Sequence, residues 1–414
     1  LTGLITYTPL TRHIKQSFSP FLMNGDHTLI DVPAPYEVNN SADIDILVGQ
    51  ADFTRRFAHS WNLESGVKYQ RTVTNSHVVQ QTESNGSYLI DSNYSFNDKL
   101  TEAITAGYAI VSKKYKKDLL QAGLRVENTN ATSPGNFSEK YTDLFPNVSW
   151  QHTLAQKLNF SLGYKRQINR PPYQEMLPYS IVLDEYTILQ GNPLLRPSYS
   201  QVATINLNAG KFNVSLNYNY TTGAFGKLPI KEDTNTQATY YATQNIDNTA
   251  YWTLNVFYPL KITSWWTANT SAHGGYASST GTVLGVRETR SSFNANLSSY
   301  QEFSISRIFR AEAGYYWYSK QTTNLITTNA YGNINAGISA KVLKGKGSIG
   351  LDVYELLKRT TYRSFQQFGS FESTTASQSD SRRIYLSFTL NFGKIKANLA
   401  EKKLGNEDAI KRAR

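Results

Sequence analysis

The residues able to do chemistry in this 414-residue chain are spread out rather than gathered. The histidines His13, His27, His59, His77, His152 and His273 form no His-x-x-x-His pair, and no cysteine is present to complete a zinc set or a disulfide. No Ser/His/Asp grouping has a spacing that suggests an activated nucleophile. The stretch "GKGSIG" (345–350) fits G-x-G-x-x-G, but a dinucleotide cradle needs a strand before it and a helix after it. The chain instead continues as the alternating run "SIGLDVYELL", so a hairpin turn is expected there. Two features remain. Asp184-Glu185 is an acidic pair that could hold a cation or part of a substrate, against the commoner role of a solvated loop pair. Tyr173, Tyr179 and Tyr186 offer flat apolar surfaces with a hydroxyl handle, suited to a sugar, peptide or chelate, against ordinary loop packing. No cofactor, metal site or catalytic residue is implied, and enzymatic activity is not expected.

These five candidates share one segment, "INRPPYQEMLPYSIVLDEYTILQGNPLLRPSYSQ" (168–201). Its prolines, Pro171, Pro172, Pro178, Pro193 and Pro197, would break a central β-ladder, and Gly191-Asn192-Pro193 is strong turn chemistry. A long, shaped loop between two strands is the result.

The strands around it announce themselves by alternation. In "RIYLSFTLNFG" (383–393), Ile384, Leu386, Phe388, Leu390 and Phe392 interleave with Tyr385, Ser387, Thr389 and Asn391. "KFNVSLNYNY" (211–220) and "LLQAGLRVEN" (119–128) repeat the scheme, and no helical period competes over such lengths. The polar face is Asn, Ser, Gly, Gln and single charges, while the apolar face mixes aromatics with Ala. Mean hydropathy is only −0.45, yet the chain holds 28 Tyr, 19 Phe and 6 Trp against 2 Met. A soluble sandwich or propeller stays open on composition alone, but a polar lumen inside an apolar, lipid-facing wall suits this distribution better. Sheet edges cannot stay unpaired in hydrocarbon, so the sheet is expected to close into a barrel.

Connections alternate in length as well. Short ones fall at 57–60, 113–117, 153–157, 208–211, 259–264 and 342–347; longer ones fall near 81–89, 129–140, 171–198, 222–238, 279–290 and 359–380. Short periplasmic turns and long outer loops mark an outer-membrane barrel, here of roughly 15–16 strands across residues 1–392. No run approaches the roughly 18 apolar residues of a membrane helix. The opening residues lack the order of a signal peptide and read as a mature segment or a fragment. The charged stretch 393–414 has no period and is expected to be a solvated periplasmic tail. The net charge of +11 is scattered through strands and turns, which fits anionic lipid headgroups better than nucleic acid.

The segment 168–201 also resembles the outer-membrane beta-barrel family of TonB-dependent receptors common in Bacteroidetes. The resemblance rests on Arg170-Pro171, Tyr173, Pro178-Tyr179, Gly191-Asn192-Pro193, Leu195 and Pro197, with matching strands from about residue 43 onward. Leu177 stands where the family often has Asn, and Ser198 where an acid often follows the last proline. The resemblance implies a barrel of about 22 strands filled by an N-terminal plug. It also implies a TonB box on that plug, coupled to TonB–ExbB–ExbD. Neither is recognisable here, so the chain reads as the C-terminal barrel portion of such a receptor, set among outer-membrane lipid and lipopolysaccharide. Uptake of a large or scarce nutrient through a polar lumen is the leading expectation. A receptor-like barrel serving as a scaffold with other envelope proteins is the alternative.

Overall fold

Among the described residues, the alternation produces sixteen wall strands, each hydrogen-bonded antiparallel to the next. They belong to a computed structural model whose described residues are 1–19, 22–23, 26, 29–31, 34–184, 186–233, 238–357, 361–378, 380–392 and 405–413. The first six are β1 (Thr2–Phe18), β2 (Tyr36–Phe57), β3 (Trp61–Ser84), β4 (Ser87–Tyr115), β5 (Asp118–Ser133) and β6 (Phe137–Ala155). Next come β7 (Leu158–Asn169), β8 (Ser198–Ala209), β9 (Phe212–Glu232), β10 (Thr239–Lys261) and β11 (Trp266–Val283). The last are β12 (Val286–Phe303), β13 (Phe309–Tyr318), β14 (Tyr331–Val342), β15 (Gly347–Tyr354) and β16 (Arg383–Leu390). Up-and-down connection lets every interior strand satisfy its backbone on both sides through its sequence neighbours. The motif-bearing loop does not interrupt this order: β7 pairs with β8 directly, from Ser198↔Asn169 to Ala209↔Leu158.

The two faces of the sheet show which surroundings each needs. Apolar side chains such as Leu120, Leu124, Val148, Trp252 and Leu254 are exposed, while Gln70, Thr72, Glu102, Glu127, Thr129 and Thr249 are buried. That is the reverse of a water-soluble protein. A cavity of about 680 Å³ receives residues from β3, β4, β5, β7, β8, β9 and β10, so the polar face is the concave one. The outward row of β2 marks the membrane band. Phe53, Ala51, Gly49 and Leu47 lie between Arg55 and Asp45, a span close to the 9–11 residues that a tilted strand needs to cross.

Several of the anticipated long loops are extended hairpins instead. β3 has 24 residues and β4 has 29, so both run well beyond the hydrocarbon and meet at a tight turn through Asn85 (φ 51°) and Gly86 (φ 77°). β11 and β12 do the same through Leu284 and Gly285. The stretch 359–380 contains a hairpin, Thr361–Phe368 against Phe371–Gln378, which joins the short strands Gln321–Thr323 and Ile326–Thr328 in a separate sheet. A short connection at 304–308 is hidden in the sequence because apolar residues continue through it. There the Ser306 hydroxyl accepts the amides of Ile308 and Phe309. "GKGSIG" does form a hairpin turn, with Gly347 opening β15.

The C-terminal stretch also departs from expectation. Residues 393–404 lie outside the described residues, but the helix α1 (Glu407–Ala413) packs against the inner face of the barrel wall instead of standing in solvent as a periplasmic tail. Its Ala409 is fully buried with Ile44, Ile46, Val48 and Leu100, and Asn406 Nδ2 donates to Thr8 Oγ1 at 2.7 Å. Inward-facing apolar residues on β1, β2 and β4 give this helix something to bury against.

The last strand tests the lipid-facing assignment. Leu386 and Phe388 are exposed on the outer face, whereas Ser387 faces Gly350 across the inner one. Leu386→Arg or Phe388→Arg should impair membrane assembly, read by heat-modifiable gel mobility, at a cost of roughly 2–4 kcal/mol. Ser387→Arg should assemble normally; equal behaviour of all three would defeat the assignment.

Candidate functional site

The segment between β7 and β8 folds inward and is locked to the wall by its own motif residues. Arg170 Nη2 donates to Glu127 Oε2 at 2.7 Å and to Thr129 Oγ1 at 2.9 Å, while Arg125 Nε holds the other Glu127 oxygen at 2.5 Å. A carboxylate that is nearly buried is thereby shared by two guanidinium groups. Pro171 and Pro172 keep the next residues out of the ladder, and Tyr173 turns into a 3-10 turn, Gln174–Met176.

Tyr173 is the centre of the second lock. It is only 2% exposed, within the cluster of Ile44, Ile46, Val48 and Ala409. Burial pushes its phenol up to about 12, so it keeps its proton and donates to Glu102 Oε2 at 3.1 Å. From the other side comes Arg412 of α1. Its guanidinium lies 4.2 Å from the centroid of the Tyr173 ring and grips Glu102 through two bonds, Nη1 to Oε2 at 2.5 Å and Nη2 to Oε1 at 3.0 Å. Nε also reaches the Pro171 carbonyl at 3.1 Å. Burial would lower the Arg412 pKa, but the Glu102 carboxylate outweighs it and holds the group charged.

The rest of the segment is fastened by backbone geometry. Gly191 lies where a Cβ would come within 1.7 Å of the Leu177 carbonyl oxygen, so no side chain fits. Asn192 caps the turn: its Oδ1 accepts the Leu194 amide at 3.0 Å and its Nδ2 donates to the Thr243 carbonyl at 3.0 Å. Strand Thr187–Gln190 then runs parallel to the start of β10, from Thr187↔Thr239 to Gln190↔Ala242. Pro193 follows that turn, and Pro197 lines a second cavity of about 560 Å³ with Tyr141, Arg196, Tyr199 and Asn245.

The sequence-derived candidates therefore separate. Tyr173 is buried against the wall and α1, and Tyr179 is buried beside Gly191, where burial raises its phenol. Tyr186 stays exposed. Asp184 ends the short strand Ser180–Asp184, and Glu185 lies outside the described residues. Among the described residues, buried Tyr173 and Tyr179 are thus set apart from exposed Tyr186. The structure brings together a different set of aromatics that no sequence motif marks. Tyr318 stacks on Tyr331 at 4.9 Å, Tyr331 meets Tyr362 edge-on at 5.4 Å, and Tyr316 lies 6.1 Å from Tyr318. Of these, Tyr316 and Tyr331 line a cavity of about 600 Å³ at the long-connection ends of β13 and β14. Alternation on two neighbouring strands could have revealed the first pair, Tyr318↔Tyr331. Nothing in the sequence signals Tyr362.

Residues 1–390 match the model of the outer membrane protein beta-barrel family. The chain belongs to that family. It is an outer-membrane barrel, and the polar lumen and lipid-facing wall described above are the family's architecture in this chain. Among solved structures it is similar to the copper transporter OprC, with TM-score 0.61 and 13% identity over 94% of this chain. It is also similar to the ferripyoverdine receptor of the outer membrane of Pseudomonas aeruginosa, with TM-score 0.60 and 12% identity over 93% of this chain. The ferric yersiniabactin uptake receptor FyuA from Yersinia pestis gives TM-score 0.58 and 11% identity over 94% of this chain. At these identities the likeness is one of fold. The chain spans 63%, 53% and 59% of those three proteins, respectively. No curated protein matches the sequence.

Within this family member, the two locks make separable predictions. Arg412→Ala leaves the Glu102 carboxylate buried without its partner, a loss of roughly 3–5 kcal/mol for the docked helix. Amide exchange across 405–413 should then speed up strongly while the β-ladders stay protected. Gly191→Ala should cost about 2 kcal/mol or more through overpacking, and should expose the 173–197 segment to limited proteolysis that the unaltered protein resists.

Proposed function

We propose that this barrel is the wall, lumen and capture surface of a TonB-dependent outer-membrane receptor that takes up a large or scarce nutrient. The observation that carries this reading is the inside-out distribution of side chains: a lipid-compatible exterior around a polar, charged lumen wide enough to hold a folded loop and a helix. Similarity in fold to receptors for copper and for ferric siderophores supports it. Cargo would be met first at the long-connection rim. There Tyr316, Tyr318, Tyr331 and Tyr362 present ring faces and hydroxyls suited to a chelate, glycan or peptide. An N-terminal plug carrying a TonB box would couple the barrel to TonB–ExbB–ExbD, and energy delivered there would open a path along the lumen. In this reading the chain performs no covalent chemistry. Lipopolysaccharide and phospholipid surround it, and its charge serves that boundary, not nucleic acid.

The test is accumulation of cargo by cells carrying or lacking the whole gene. Probes are copper, a ferric siderophore and an oligosaccharide, each with and without functional TonB. Loss of accumulation of one probe on gene deletion, and equally on TonB inactivation, is expected. Unchanged accumulation of all three, together with stable co-purification of other envelope proteins, would replace transport by a scaffold role.

A further inference from the structure

The net charge of this protein is not evenly placed once the chain is folded. At the rim opposite the Asn85-Gly86 and Leu284-Gly285 turns, each connection between wall strands carries a Lys or Arg on it or within three residues of it; Lys157, Lys211, Lys261, Arg307 and Lys344 belong to five of them. Within the same windows the acids are Asp118 and Glu302 alone. Asp118 is already engaged by Trp150 Nε1 at 2.8 Å and His152 Nδ1 at 2.7 Å. One rim of the barrel is therefore strongly cationic.

On the outer wall at that rim, three adjacent strands place cations and aromatic rings together. The register pairs Phe57 with Trp61, and Trp61 with Lys113, on the lipid-facing side. Arg55 lies over the Phe57 ring at 5.0 Å, Lys113 over Trp61 at 4.7 Å and Lys116 over Tyr115 at 5.3 Å. All three rings are exposed, and so are Arg55 and Lys116. Three cation–π pairs side by side hold positive charges at the edge of the apolar band, with flat amphipathic rings beside them. Aromatic rings favour this depth of a bilayer, and lysine and arginine there attract anionic headgroups.

We propose that Arg55, Lys113 and Lys116, with Phe57, Trp61 and Tyr115, form a binding site for the phosphate headgroup of an anionic phospholipid. Because short turns face the periplasm, the lipid belongs to the inner leaflet of the outer membrane. The occupant is an annular lipid, not the transported cargo, and the site depends only on the barrel's orientation, not on what it transports. The rings pre-position the cations and take the glycerol and upper acyl region, while the ammonium and guanidinium groups meet the phosphate.

The test uses the full chain purified in detergent, offered phosphatidylglycerol, phosphatidylcholine or lipid A, with retained lipid read by native mass spectrometry. The unaltered protein should retain phosphatidylglycerol in preference to phosphatidylcholine. R55A/K113A/K116A should lose that preference by roughly tenfold or more, given three cations at an anionic surface. K227A/K231A, which removes cations at the opposite rim, including one lying over Tyr240 at 5.2 Å, should keep it. Equal retention by the triple variant, equal loss in the K227A/K231A control, or preference of the unaltered protein for lipid A would overturn the proposal. A photoactivatable phosphatidylglycerol on the unaltered protein gives a readout that does not depend on a variant folding. It should label the peptides around 53–63 and 108–118, and labelling confined to other regions would likewise overturn the proposal.

Discussion

The constraint on which everything else depends is that each wall strand must satisfy two solvents at once. Hydrocarbon supplies no hydrogen bonds, so the outward row must be apolar and every backbone group must be met by a neighbouring strand. Up-and-down antiparallel pairing, running from β1 to β16, meets both demands for the interior strands with local connections. The consequence of that arrangement appears on the inside. Polar rows such as Gln70, Thr72 and Thr74 face a lumen, and the chain covers them with its own loop and helix.

That covering is possible because the inner face is not uniformly polar. Ile44, Ile46, Val48 and Leu100 form one apolar patch, on which Tyr173 and Ala409 sit. Leu228, Ile246 and Val283 form another, which takes Leu325, Phe368 and Phe371 from the separate sheet. Position on the first patch is then refined by ionic contacts: Arg170 with Glu127 near it, Arg412 with Glu102 across it. Apolar contact supplies most of the docking energy, and buried ion pairs contribute registry more than net stability. The motif residues of the loop thus hold shape. Gly191 avoids a carbonyl, Asn192 closes a turn, and Arg170 anchors an entry point.

The wall was legible in the sequence because period-two alternation is local, and its strand number and antiparallel order follow from it. Loop extent was not. Alternation says which face a residue occupies, not whether that stretch of strand lies in the membrane or above it. The hairpin turning at Asn85-Gly86 therefore looked like a loop. Residues whose role depends on distant partners were equally opaque. Tyr173 reads as an exposed loop aromatic until Arg412 and Glu102, far away in sequence, are placed around it. The same holds for α1, whose charged sequence suggests solvent and whose Ala409 finds a fully buried seat.

The lumen contacts also bear on how such a barrel could open. Two buried carboxylates, Glu102 and Glu127, each hold an arginine from a segment that must move if a large solute is to pass. Breaking either pair while its carboxylate stays buried costs roughly 3–5 kcal/mol, and about 5.5 kcal/mol is what shifts a two-state equilibrium from 1:99 to 99:1. Thermal fluctuation alone would therefore open both locks only rarely. Water entering as the segments withdrew would resolvate the separated charges and lower that cost, because the high dielectric of water weakens the attraction that remains.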